Sequence, residues 1–455
     1  MRYASAILFL LLSFTGGACN QNSISKDLEP KSSPNLEPKS SPSPIANPSD
    51  KSDTTSIGLS PNNPPGTQPQ NIPPFIDLLT VAAGTTIVSG FVGETSTAGR
   101  ALRLIDGNNS PTGISNDQDP PAVFIYELPA PTTFDKFSIP GLVEHPGNAT
   151  IIRNMKIEGS NQGPDQAYTT LVDTQLRTVE TREDEVLLQP LIKTSVRWIK
   201  VVLSEGILIE HPPGKTTLQL TELKGYGSQE PMSLSQAFKG KWDFRFLDAP
   251  NKSGHTLELQ QDGSTVQGCF NDTRLTGTVT GPIARLQGYD AKRDVSSVYL
   301  FTVTAAGELQ GLESTRNGVF RPRIGPVASP DASTICSEDP KPAPPSCNSI
   351  VYINFDLNKA LIRPDSEPVL QDLFRGIQGT QGTVIIEGHT STEGSEEDNL
   401  ELSKRRAQAV VDKLQALGIN QSRLEASGKG ELMPLVPEND ETSRALNRRV
   451  EIKCR

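Results

Sequence analysis

Gly388-His389-Thr390-Ser391-Thr392-Glu393-Gly394, followed by Asn399-Leu400-Glu401-Leu402-Ser403-Lys404-Arg405-Arg406-Ala407, decides how this chain reads. A glycine-bounded polar turn runs into a helix. Residues three, four and seven apart on a helix share a face. Asn399, Ser403 and Arg406 therefore form one polar stripe, with Thr390 and Ser391 in the turn above it. Amide, hydroxyl and guanidinium groups in a small cup suit a polar ligand that bears a carboxylate. A solvated helix face with a capped start fits the same residues.

The flanking sequence adds order to this stretch. Ile353-Asn354-Phe355-Asp356 with Asn358 precedes it; Gly428-Lys429-Gly430-Glu431 with Pro434, then Arg444 through Ile452, follow it. In this succession the motifs resemble the OmpA-like, or OmpA/MotB, peptidoglycan-binding domain over residues 347–455. The resemblance implies a non-catalytic domain that grips the diaminopimelate side chain of the peptidoglycan stem peptide. Arg406 matches the arginine that pairs the ligand's carboxylate, where a planar fork suits bidentate contact. Asn399 matches a pocket asparagine, Asn358 lines the pocket, and Arg448 either frames it or plays a structural part. Ser391 departs from the family, whose best-known members carry an aspartate there to receive the ligand's ammonium. Serine offers no counter-charge; Glu393 or Glu396 in the same loop could supply one. The domain reads β-α-β-α-β-β, with a first strand over Ser349 to Phe355, helices over about 365–377 and 395–417, and Gly418 ending the second.

The remaining chain divides by composition. Its 455 residues leave room for several domains, and a net charge of -10 argues against nucleic acid as the main partner. Arg2 and the apolar run Ala4 to Phe14 form a targeting segment too short for a stable bilayer span. Gly16-Gly17-Ala18 before Cys19 resembles a bacterial lipoprotein lipobox, with Gly16 where leucine is usual. Residues 1–19 are thus expected to be a signal peptide with Cys19 acylated and membrane-attached. Ordinary cleavage before Cys19 fits the same residues. Asn20 after the cysteine leans towards the outer membrane, facing the periplasm. Residues 20–74 are a Pro/Ser-rich tether that buries too little to order itself, about 170 Å long when extended.

Residues 75–229 carry short β-type runs between Pro/Gly/Asn turns and predict a β-sandwich. Leu104-Ile105-Asp106-Gly107-Asn108, Lys156 through Gly163, Arg197-Trp198-Ile199 and Thr221 through Gly227 resemble discoidin-like (F5/8 type C) domains of the galactose-binding jelly-roll kind. That resemblance implies a glycan or protein ligand and a structural calcium, with Asp106, Asn108 and Glu222 as oxygen ligands. The same residues could instead satisfy loop backbone groups. Residues 233–325 read as a strict meander, with Trp242, Phe244 and Phe246 alternating with polar residues and Gln260-Gln261-Asp262-Gly263 as a hairpin turn, and predict a small antiparallel β-barrel or meander with a filled interior. Residues 326–346 are a proline-rich linker.

Acylation of Cys19 would leave an even set of Cys269, Cys336, Cys347 and Cys454, as an oxidising compartment favours. Cys336 is expected to pair Cys269, and Cys347 to clip onto Cys454; the connectivity is open at this point.

Four histidines lie scattered, with no H-x-x-x-H spacing and no G-x-S-x-G, so the chain is expected to bind rather than catalyse and to need no cofactor beyond that calcium. A secreted or envelope glycan-active enzyme carrying binding modules is the alternative class.

Overall fold

The computed structural model describes residues 76–89, 101–109, 112–116, 122–142, 150–181, 183–206, 216–246, 254–271, 273–289, 295–329 and 342–455. Cys19, the tether and Cys336 lie outside the described residues. Cys269 is disulfide-bonded.

Among the described residues, nine strands build the first module: β1 Thr86–Ser89, β2 Thr112–Asn116, β3 Ala122–Pro140, β4 Thr150–Ser160, β5 Thr169–Gln175, β6 Glu185–Leu188, β7 Ser195–Gly206, β8 Thr216–Leu220 and β9 Lys224–Gln229. They run β1-β3-β7-β4-β8-β2, with β5 on β4 and both β6 and β9 on β3. The long β3 is the pivot. Phe124, Tyr126 and Leu128 project into the same core as Ile199, Val201 and Leu203 of β7. Proline donates no N–H to a ladder, and Pro129 and Pro131 fall where β3 slips register against β7. From Thr132 onward β3 pairs β9 as well. One strand thereby turns the corner between two sets of partners.

Eight antiparallel strands follow: β10 Gly240–Phe246, β11 His255–Asp262, β12 Thr265–Phe270, β13 Thr273–Thr280, β14 Ile283–Tyr289, β15 Val295–Val303, β16 Leu309–Thr315 and β17 Arg321–Gly325. Each pairs with the next, and β17 closes onto β10, so the barrel has no free edge. The expected turn after Asp262 is present, with Gly263 at φ 58°, a conformation glycine adopts without steric cost. Trp242, Phe244, Leu259, Leu286, Tyr299 and Phe301 fill the interior. Phe244 meets Phe270 and Phe301 edge-on, with centroids 5.0 and 5.3 Å apart, contacts that add about 0.5–1.5 kcal/mol each beyond area burial.

The barrel's outer face is also covered. Ile283, Leu300 and Leu312 join the core of the first module, and Gln310 exchanges two hydrogen bonds with the backbone of Ile87 (2.9 and 3.1 Å). Gln70–Arg455 is accordingly one compact unit.

The last module contains β18 Ser349–Val351, α1 Glu367–Gln378, β19 Val384–His389, α2 Glu396–Ala416, β20 Leu424–Gly430, α3 Glu441–Asn447 and β21 Val450–Cys454. Its sheet order is β18-β21-β19-β20, with β19 and β20 parallel. Val369, Leu373 and Ile377 of α1 and Val410 and Leu414 of α2 share one core with Val384, Ile386, Val450 and Ile452. Gly418 lies past α2 at φ 113°, as expected of a helix-ending glycine. Two details differ from the expectation. β18 stops at Val351, because Phe355 bridges back to Ile362 and Asn354 N–H donates to Ser366 Oγ instead. The short α3, capped by Asp440 and Ser443, is an addition. Cys347 and Cys454 are bonded, with Cα atoms 5.4 Å apart.

Polar contacts seat this module on the other two. Asp372 accepts the Ser264 N–H and hydroxyl at 2.6 and 2.7 Å, and Thr280 Oγ1 donates to Tyr352 O at 2.6 Å. Thr442 Oγ1 donates to Asp106 O at 2.9 Å.

Candidate functional site

Two glycines let the polar turn and α2 meet. A Cβ on Gly388 would lie 2.3 Å from Ser403 O, and one on Gly428 would lie 2.6 Å from Lys404 N and Ser403 Oγ. Neither contact is tolerable, so α2 can lie directly on β19 and β20 only with glycine at both positions. Ser403 is taken up by that approach. It is fully buried, donates to Leu400 O (2.7 Å) and accepts the Gly430 N–H (2.9 Å). Contrary to expectation, Ser403 does not line the ligand cup: it sits on the sheet side of the stripe, beneath β20.

The other residues of the expected cup come together. Asn358, Thr390, Ser391, Asn399, Arg406 and Arg448 line one cavity of about 40 Å³, joined by Ile76, Glu393 and Glu441 among others. Asn358 holds a left-handed turn at φ 54°, which asparagine tolerates better than most residues. Asn399 spends its amide donors on Glu393 O (3.1 Å) and Glu431 Oε2 (2.6 Å), fixing the turn against the start of α2. Thr390 Oγ1 is buried without a hydrogen-bond partner.

Charge in the cup is unevenly paired. Arg448 Nη2 meets Glu441 Oε1 at 2.5 Å and Nη1 meets Glu393 Oε2 at 3.5 Å. Burial would raise Glu441, but Arg448 and Arg444 hold its carboxyl below the usual range. Arg406 differs. Its Nε donates to Lys359 O (3.1 Å), its guanidinium carbon lies 5.0 Å from the Phe355 ring centre, and it has no carboxylate partner among the described residues. Burial, then Arg448 and Arg405, push its pKa down to about 10. In the turn, Ser391 Oγ donates to Glu393 Oε2 at 3.3 Å. Glu396, the other acid considered there, is exposed at the start of α2 and does not line the cavity.

His389 is buried beside this cup with neither ring nitrogen hydrogen-bonded, and burial followed by Arg449 pushes its pKa down to about 4. Donor atoms of Glu387, His389 and Glu451 lie within 4.8 Å of one another. Lys429 (3.2 Å) and Lys453 (3.0 Å) already neutralise Glu387, and Arg449 and Lys453 do so for Glu451. That donor set fits a salt-bridge network rather than a divalent ion.

Of the expected calcium ligands, Asp106 Oδ1 accepts the Asn108 N–H and Glu222 Oε1 the Gly107 N–H, both at 2.9 Å. Both carboxylates thus serve loop backbone. Glu222 Oε2 is left without a partner. Burial pushes Asp106 up to about 7 and Glu222 well above its usual range, with Asp106 adding to the latter. Glu222 Oε2 is a hard oxygen of the kind calcium takes, one of the roughly six to eight that such an ion gathers.

A four-stranded sheet crossed by α2, with a polar cup where β19 turns into that helix, defines an α+β module. Residues 354–448 match the OmpA family, and this stretch is an OmpA family domain. Outer membrane protein A of Bordetella avium is 34% identical over 116 residues, 25% of this chain and 60% of that protein. Peptidoglycan-associated lipoprotein of Pseudomonas aeruginosa is 33% identical over 105 residues, 23% of this chain and 62% of that protein. The chain therefore spans less than two thirds of the length of these relatives. For the β-sandwich, a solved neighbour is CBM32-1 from a family 31 glycoside hydrolase of Clostridium perfringens, at 18% identity and TM-score 0.23, covering 31% of this chain and 93% of that one.

Sequence reasoning missed Ile76 and Glu441. The run Asp440-Glu441-Thr442-Ser443 carries a capping signal that could have placed a helix there. Nothing in the sequence could have brought Ile76, 281 or more positions before the rest of the cup, to it.

Proposed function

We propose that this chain is an envelope lipoprotein that holds peptidoglycan non-covalently, with the diaminopimelate end of the stem peptide seated in the Arg406 cup. One observation carries this reading: Arg406 is held by Phe355 and Lys359 O, lines the cavity, and has no carboxylate partner among the described residues. A half-buried guanidinium without a counter-ion is open to an anion, and a ligand carboxylate answers it with two parallel hydrogen bonds. Glu393, loosely placed between Ser391 and Arg448, stands where the ligand's ammonium needs an acid. Relatives named for the outer membrane and for peptidoglycan association support the reading.

The lipid anchor would be Cys19, which lies outside the described residues, and would place the chain at the outer membrane facing the periplasm. We read the domain as non-catalytic, holding the wall without acting on it. Calcium at Asp106 and Glu222 would brace the β-sandwich, whose own ligand, a glycan or a protein, belongs to the same proposal. Calorimetric titration of the compact unit with a soluble diaminopimelate-containing stem peptide tests the central part. Arg406→Ala is expected to weaken binding by about 2–5 kcal/mol, at least thirtyfold. Equal affinity of wild type and variant would remove the proposal.

A further inference from the structure

A second cavity, of about 140 Å³, opens where all three modules meet. It shares Ile76, Arg406, Glu441 and Arg448 with the smaller cup, so the two lie wall to wall. The barrel contributes Arg285 to it. That side chain is 6% exposed, its Nε and Nη1 have no hydrogen-bond partner, and its Nη2 makes one long bond to Ala82 O at 3.4 Å. Its guanidinium carbon stands 5.2 Å from the Tyr352 ring centre.

No acid on this cavity serves as counter-ion to Arg285. Glu441 is engaged by Arg448 and Arg444. Asp77 Oδ1 accepts the Leu79 and Gly225 N–H groups at 3.0 and 2.9 Å, and burial pushes its pKa up to about 7. The other arginines on the wall have partners: Arg363 is with Asp365, Arg448 with Glu441, and Arg449 with Glu451. Among the described residues, Arg285 and Arg406 are thus the two guanidiniums lining this cavity without a carboxylate. A guanidinium does not shed its proton in a protein, and a buried charge calls for a partner.

We propose that the inter-module cavity is a second anion subsite, in which Arg285 of the barrel receives a further carboxylate of the stem peptide held by Arg406. This rests on the peptidoglycan reading and extends it, since the recognition surface then includes a module outside the OmpA family domain. On the barrel wall the vacant hydrogen-bonding positions are Arg285 Nε and Nη1, both donors on a cation, so the group that meets Arg285 is an anion; Asp77 Oδ2 and the His389 ring nitrogens, on the other walls, are also unpaired. That anion belongs to the same ligand because Arg406 borders both cavities.

Three probes separate the outcomes in calorimetry on the compact unit: a soluble stem peptide, free diaminopimelate, and inorganic phosphate. Arg285→Gln is expected to weaken the stem peptide about tenfold and to leave diaminopimelate unchanged, while Arg406→Ala weakens both. Its melting temperature should hold or rise, since an unpaired buried cation is removed. Unchanged stem-peptide affinity in Arg285→Gln, or an equal loss for diaminopimelate, overturns the subsite while leaving the Arg406 reading intact. If phosphate alone depends on Arg285, the stem-peptide assignment falls. On the unaltered chain, the stem peptide should shield Arg285 from phenylglyoxal and diaminopimelate alone should not. Equal modification with and without the stem peptide, including none in either case, also overturns the proposal.

Discussion

Glu393 offers the sharpest test of how the cup reads an ammonium without the usual aspartate. Its Oε2 lies 3.3 Å from Ser391 Oγ and 3.5 Å from Arg448 Nη1, and its Oε1 lies 3.6 Å from Arg444 Nε. Glu441 takes the same two arginines at 2.5 and 2.9 Å. Glu393 is therefore the loosely held acid, free to turn towards a ligand. A hydrogen bond to a charged group contributes about 1.5–3 kcal/mol and a neutral one about 0.5–1.5. Glu393→Gln should then cost about 1–1.5 kcal/mol, a five- to twelvefold loss of affinity at constant pH. The assay is calorimetry with diaminopimelate-containing stem peptide, alongside pimelate, which keeps the carboxylates and lacks the ammonium. Pimelate binding should not fall. Ser391→Asp should help little in the wild type, where it would face Glu393, but should recover most of the loss in Glu393→Gln, a coupling that a double-mutant cycle reads directly. Unchanged stem-peptide affinity in Glu393→Gln, or an equal loss for pimelate, would refute the assignment.

Three further outcomes follow from the packing. Burial raises Asp77 from 3.8 to about 7, so between those values the folded chain keeps a proton that the unfolded chain has released, and stability falls as pH rises through that window. Asp77→Asn should therefore be more stable than wild type at pH 8, by at most about 4 kcal/mol, and level with it at pH 4; equal midpoints at both would contradict this. Replacing Cys347 and Cys454 by serine opens a link across 107 positions and should cost about 4–5 kcal/mol in urea unfolding. Asp372→Ala strands the buried Ser264 N–H and hydroxyl and should cost about 1–3 kcal/mol, with faster hydrogen exchange confined to the β11–β12 turn as the local readout.

How much of this was legible in the sequence depended on the range of the contacts. The barrel hairpins were, because alternation and a turn glycine are local. So was most of the cup: the glycines of the turn and of Gly428-Lys429-Gly430 mark where a helix must touch a sheet, and Glu393 lies two residues from Ser391. Ser403 was misplaced because helical spacing gives a face without saying which of its edges the sheet covers. Strand β18 was overdrawn because Ser366 and Ile362, both downstream, draw the chain away from β21. Seven residues of α3 gave too little periodicity to register. Arg285 was invisible as a site residue: in sequence it is one polar position on a barrel strand, and its setting is assembled from Ala82 and Tyr352, which lie 203 and 67 positions away.

The central claim is that Arg406 holds the wall. Co-sedimentation of the compact unit with purified sacculi, comparing wild type with Arg406→Ala at equal folded concentration, measures it most directly. Wild type should pellet with the sacculi and be displaced by free diaminopimelate, while the variant should stay in the supernatant. A wild-type unit that fails to sediment, or a variant that sediments equally, would contradict it.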